Sequence, residues 1–442
     1  MRTLPTLFVV LLALPVRGQA PQPAPAAEEG GALPSQLTLP EALRLFRERG
    51  LDLLLADAIQ QSAVGDAEIA GAVQNPSLTG SIGRSFNYDP RTCPECSALQ
   101  LGVGLSDNAA LFDLLVNKRG LRKEVAAAAI TAAKLSRQDA QRTLEFQLKQ
   151  QFLVAALAKE QLDFAHETQS TTARTRALNQ RKLQAGAISE ADLAKTDVQD
   201  LEAGRAADQA QQQLVAATAA VAFLLGAQRP QPELRLDTSA LEYRGPGALG
   251  ELNAAGLFET ALSTRPDLLA LDQQVKRAEA ALRLVERSRI PQAALSLNYA
   301  QEGTGGSSIQ PPTLTLGVQL SGLPIFYQQQ GEVHKAQADL RLQLATRSRT
   351  RAQIAADVQS AFAGLRTGRS LIDRMKGEML NRARRARDLV QVQYEKGAAS
   401  LFDLLDAERT YIAVHGEYLQ DLSVYWTAVA QLEQAVGKEL HQ

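Results

Sequence analysis

Asp403 and Asp406 stand three residues apart, a spacing that puts both carboxylates on one face of a helix. There they could attract cations, or simply complement the dipole of a helix N-terminus. A second candidate is Cys93-Pro94-Glu95-Cys96. A redox-active pair of this spacing would open a helix after a strand in a βαβ unit, and none is expected here. Zinc would need a second pair of ligands, which a chain with two cysteines lacks. A local disulfide between Cys93 and Cys96 is therefore expected, with metal contact as the alternative. The four histidines, His166, His334, His415 and His441, are too scattered for a metal site. With no nucleophile elbow, phosphate loop or metal cluster, neither enzyme activity nor a cofactor is expected. A net charge of −1 gives no electrostatic reason to bind nucleic acid.

The elements that must position these residues occur twice. Asp52 and Pro76 recur as Asp267 and Pro291, 215 residues later. Gly120, Gly186, Asp192 and Gly226 recur as Gly331, Gly397, Asp403 and Gly437, all at 211. So long a self-match, with its one indel near position 325, implies two structurally equivalent halves. Each half should place a helix before its proline, then two strands, a long helix, a glycine turn and a returning helix. The first repeat is expected over 36–228, with strands at about 77–88 and 98–107, a long helix at about 116–183 and a return helix at about 190–225. A linker follows at 229–250. The second repeat is expected over 251–438, with strands at about 293–301 and 313–321, a long helix at about 329–395 and a return helix at about 401–436.

Alternation defines the strands: Leu99, Leu101, Val103 and Leu105 interleave with Gln100, Gly102, Gly104 and Ser106, and Leu314, Leu316, Val318 and Leu320 with Thr315, Gly317 and Gln319. Their polar faces are small and uncharged, as in a transmembrane barrel with lipid outside and water inside. Four strands cannot close a barrel, and lipid does not tolerate open edges, so a membrane-spanning form must oligomerise. No proline interrupts Val116 to Leu183 or Gln329 to Glu395, and at ~1.5 Å per residue each is a helix of roughly 100 Å. The return helix and the helix before the strands, laid end to end, reach a similar length. Aromatic residues make up only 5% of the chain, which favours helix packing over large globular cores.

Residues 1–20 have the form of a signal peptide: Arg2, an apolar run from Leu7 to Val16, then the small residues Gly18 and Ala20. The Pro/Ala-rich stretch 21–35 is expected to be a disordered leader.

The strand end Leu320–Phe326 and the run from Tyr394 to Ala407 past the long helix resemble segments of the TolC family of outer-membrane efflux proteins. Leu320-Ser321-Gly322-Leu323-Pro324-Ile325-Phe326 is similar to that family's strand end with its Pro-Leu-Phe element, and the run from Tyr394 through Gly397 to Asp403-Leu404-Leu405-Asp406-Ala407 resembles its tip motif. Leu37-Thr38-Leu39-Pro40-Glu41-Ala42-Leu43 and Asn75-Pro76 fit as well, and the resemblance covers about residues 36 to 438. It implies a mainly α protein whose long hairpins form a periplasmic α-barrel. Four strands per chain would contribute to a trimeric, 12-stranded transmembrane β-barrel. The implied function is the outer-membrane channel, or exit duct, of a tripartite efflux or secretion system. Its implied partners are a periplasmic adaptor and an inner-membrane pump of the RND, ABC or MFS type. By position, Asp192, Tyr394, Asp403 and Asp406 match the periplasmic entrance, with Gly186 and Gly397 at the helix-tip turns. Leu183 stands where the second repeat has Tyr394, Ala399 where some members have a gate arginine, and Ala110-Leu111-Phe112 lacks the partner repeat's proline. A periplasmic helical adaptor or scaffold is the alternative, but it would lack four amphipathic strands divided between two repeats.

Overall fold

The structure is a computed structural model. It describes residues 33–84, 86, 91, 98–243, 253–301 and 311–440. The expected signal peptide, most of the leader, and the Cys93–Cys96 pair lie outside the described residues.

The first repeat opens with a short strand β1 (Gln36–Leu37), then α1 (Leu39–Arg49) and α2 (Leu51–Gly71). Thr38 and Glu41 form a reciprocal capping box that starts α1. Strands β2 (Ser77–Arg84) and β3 (Leu99–Ser106) follow, then the single turn α3 (Ala110–Leu115) and the long α4 (Lys118–Gln184). Asn117, at φ 59, separates α3 from α4 in the left-handed region that Asn tolerates. After α5 (Glu190–Leu224), β4 (Arg235–Leu236) pairs in parallel with β1, so part of the expected linker is built into the fold. The second repeat has α6 (Ala254–Thr264), α7 (Pro266–Ser288), β5 (Gln292–Gln301), β6 (Thr313–Ser321), α8 (Gln330–Arg374), α9 (Leu380–Glu395) and α10 (Leu401–Val436). A π-helical turn at Met375–Met379 joins α8 to α9 without breaking the helix. Pro324 stands near the place of α3, and no helix forms there.

All four long strands form one antiparallel sheet in the order β2-β3-β5-β6. Its register aligns Leu78, Leu105, Leu297 and Leu316 across one face, and Thr79, Gly104, Asn298 and Thr315 across the other. Gly104 makes room for its neighbours: a Cβ there would lie 2.4 Å from the Asn298 Oδ1 and 2.6 Å from the Thr79 Oγ1, so both side chains would have to turn aside. The apolar face is uncovered: Leu78 is 75% exposed, Ile82 77% and Leu316 75%. Both outer strands, β2 and β6, have one unpaired edge within the chain.

Below the sheet, α4 packs against α2 and α5 on one side and α7 and α10 on the other, and α8 packs on α7 and α10. Two apolar cores lie midway along the long helices, where each shorter helix pair meets end to end. One gathers Leu37, Phe46, Leu148, Phe152 and Val221. The other gathers Leu257, Ile354, Val358, Tyr425 and Leu432. Arg265 locks the second core, pairing with Asp267 at 2.6 Å and Asp357 at 3.0 Å. Among the described residues no helix is long and apolar enough to cross a membrane.

Candidate functional site at the helix tips and the sheet

Each long helix ends at a glycine. Gly186 at φ 72 and Gly397 at φ 77 take the left-handed conformation, and the following amides close back on the Lys182 and Gln393 carbonyls at 2.8 Å. Ser189 and Ser400 then cap the returning helices by accepting from the Asp192 and Asp403 amides. The two tips are therefore copies of one local design.

Within a single chain the residues matching the entrance by position make separate hydrogen-bond sets, although the Asp192 charge reaches the Tyr394 phenol. Asp192 accepts from the Ser189 hydroxyl at 2.8 Å and from Lys195 at 3.2 Å. Those bonds hold its carboxyl below the usual range, the Ser189 hydroxyl contributing most. Asp403 completes a capping box, accepting from the Ser400 amide at 3.0 Å and hydroxyl at 2.7 Å, and is likewise lowered by the Ser400 bonds. Asp406 is exposed in the groove between α5 and α10, beside Phe402, Val198 and Arg409. The two aspartates that share a face thus divide the work: one caps its own helix, and the other is open to solvent.

Tyr394 is only 4% exposed. Its hydroxyl donates to the Asn179 Oδ1 at 2.5 Å, while the Lys182 ammonium donates to the Tyr394 carbonyl at 2.9 Å and lies 3.7 Å from the ring centroid. Burial pushes the phenol up, against the Asn179 bond, and the Asp192 charge adds to the rise. These contacts clasp the end of α4 to the end of α9. Asn179 and Lys182 were missed by sequence reasoning; nothing local marks them, because their partner lies over 200 residues away.

Higher on the return helices, Glu408 is 4% exposed, accepts from the Gln199 amide at 2.9 Å, and leaves its other oxygen without a partner. His415 stacks on Phe164 at 3.8 Å between ring centroids. Among the described residues, no group of His, Cys, Asp and Glu is placed to hold a metal ion.

Residues 257–438 match the model of the outer membrane efflux protein family. The cobalt-zinc-cadmium resistance protein CzcC of Cupriavidus metallidurans is 27% identical over 416 residues, covering 91% of this chain and 90% of that protein. The pyoverdine export outer membrane protein OpmQ of Pseudomonas putida is 24% identical over 457 residues, covering 96% and 93%. Among solved structures, the open state of the MtrE outer membrane channel of Neisseria gonorrhoeae shares the fold, with a TM-score of 0.71 and 20% identity over 91% of this chain and 89% of that one. The chain is thus similar to outer membrane efflux proteins: its second repeat matches the family model, and nine-tenths or more of its length aligns with CzcC and OpmQ.

Proposed function

We propose that the chain is the outer-membrane exit duct of a tripartite export system, acting as a homotrimer that conducts cargo passively. One observation carries this reading: a four-stranded sheet with an uncovered apolar face and two unpaired edges stands on helices of about 100 Å. Pairing β6 of each copy with β2 of the next satisfies every edge and gives twelve strands, with the Thr79, Gly104, Asn298 and Thr315 face turned to water. The helices then extend into the periplasm, and their glycine tips form the entrance where an adaptor and an inner-membrane pump of the RND, ABC or MFS type deliver cargo. Tyr394, Asn179 and Lys182 clasp that entrance, and Asp192, Asp403 and Asp406 surround it with negative charge. Passive conduction fits the relatives, since one is named for cobalt, zinc and cadmium resistance and the other for pyoverdine export, yet both align along nine-tenths or more of this chain. Cargo choice then belongs to the pump.

Separation of bacterial membranes, followed by native mass measurement of the detergent-extracted protein, checks the assembly. The expected result is a trimer in the outer-membrane fraction that forms conducting pores in planar bilayers. A folded monomer in the soluble fraction would sink the reading.

A further inference from the structure

Where the sheet meets the helices, α3 presents an apolar side that nothing else in the chain covers. Asp107, the residue after β3, fixes its place: the carboxylate accepts from the Leu295 amide of β5 at 2.7 Å and from the Ala109 and Leu111 amides at 3.2 and 3.3 Å. So α3 sits under the two inner strands, β3 and β5, away from the outer edges of the sheet. Its polar side is turned inward, where Asp113 is buried and pairs with Arg122 at 2.9 Å. Leu111, Leu114 and Leu115, at helical spacings of three and four, form the opposite side, and all are exposed, Leu115 at 83%.

Beside those leucines the surface turns basic. Lys118, at the start of α4, is buried and donates to the Ile290 carbonyl at 2.9 Å, which brings the end of α7 close to α3. There Arg283 is matched by Glu124, as Arg122 is by Asp113. Arg287 and Arg289 are exposed and have no ion-pair partner among the described residues, against one unpaired carboxylate, Glu286. The acidic Asp66 and Glu68 belong to α2, which packs on the other side of α4. Basic residues at a helix C-terminus also complement its dipole, but the dipole gives no reason for three uncovered leucines beside them.

We propose that an anionic phospholipid of the leaflet facing the periplasm occupies this patch, its acyl chains over Leu111, Leu114 and Leu115 and its phosphate held by Arg287 and Arg289. Leu105 lies in the apolar row on β3, and α3 begins five residues later, so its leucines extend the lipid-facing surface to the depth of the headgroups. An amphipathic turn at that depth buries its apolar side among acyl chains. A zwitterionic lipid would use the leucines alone, whereas an anionic headgroup also draws on the unpaired arginines. A neighbouring copy would meet the sheet at β2 and β6, and α3 lies under the strands between them. The inference rests on the exit-duct reading, which puts the sheet in the outer membrane, and adds the chemistry of the lipid held there.

The test exposes the detergent-extracted trimer to equal amounts of phosphatidylglycerol and phosphatidylethanolamine and counts the retained lipids by native mass measurement. The wild type should retain phosphatidylglycerol in excess. Arg287→Gln with Arg289→Gln should lower that excess by roughly fivefold for each arginine, and Glu286→Gln should raise it. Arg374→Gln with Arg385→Gln, the same change of charge far down the helices, should leave it unaltered. Leu114→Ser with Leu115→Ser should lower both lipids alike and keep the trimer. Equal retention of the two lipids by the wild type, or the same loss from the distant arginines as from Arg287 and Arg289, overturns the lipid site while leaving the trimer intact. Loss of the trimer in the leucine variant would show that a neighbouring copy covers α3, which also overturns it. A wild type that is a soluble monomer overturns the exit-duct reading itself.

Discussion

At the tips, one residue type serves two ends. Asp403 is tied to Ser400, so its loss should act on structure: the cap is present above the unfolded carboxylate range and is given up as pH falls through Asp403's lowered range. Asp406 caps nothing and is exposed. In the proposed trimer three copies face one axis, where like charges in a narrow opening focus the field on cations. Asp406→Asn should therefore lower cation preference and weaken block by multivalent cations in planar bilayers, with the trimer's melting temperature unchanged. Unaltered selectivity would reduce Asp406 to a solvated helix residue and remove it from the entrance. The carboxylate pair was legible because three-residue spacing is a local fact of helix geometry. Their division of labour could have been read as well, because Ser400-Leu401-Phe402-Asp403 has the spacing of a capping box and Asp406 does not.

Elements were legible wherever their cause was local. Strand alternation, proline-free helices and glycine turns each sit within a few residues of the structure they dictate, and the sheet and long helices run where those signals lie. The separate helices α1 and α6 were not anticipated, although Thr38-Leu39-Pro40-Glu41 has the spacing of a capping box and could have revealed the first. Contacts between elements had no such signal, and Glu408 shows why they matter. Burial pushes its carboxyl up, opposed by the Gln199 bond and the Arg387 charge, and one oxygen has no partner. A carboxyl raised by folding leaves the native state unpenalised below the unfolded range and costs stability as pH rises through the interval up to the folded value. Glu408→Gln removes the buried charge while keeping an acceptor for Gln199. It should therefore stabilise the tip region by about 1 kcal/mol at neutral pH, read as a higher melting temperature, and the gain should vanish below the ordinary carboxylate range. A variant that melts lower than the wild type at neutral pH would show that Glu408 is ionised and stabilised where it sits.

For the whole molecule, the question is which medium covers each surface. Along β6, Leu316 and Thr315 are neighbours in sequence but point to opposite faces of the sheet. Leu316 belongs to the uncovered apolar row with Leu78, Leu105 and Leu297; Thr315 belongs to the row of Thr79, Gly104 and Asn298. A soluble scaffold would bury the apolar row against a partner protein and leave the polar row in bulk water, so a lysine on the polar row would have no electrical consequence. In a closed barrel the apolar row meets lipid, where a lysine near the bilayer midplane costs about 2–4 kcal/mol per strand. Leu316→Lys should sharply reduce the trimer recovered from the outer membrane. Thr315→Lys should assemble at near wild-type levels and place three ammonium groups in the lumen, shifting conductance toward anions in planar bilayers. Equal recovery of the two variants, or a Thr315→Lys pore with unchanged selectivity, would mean that the polar face does not line the pore and that this sheet is not the wall of a channel.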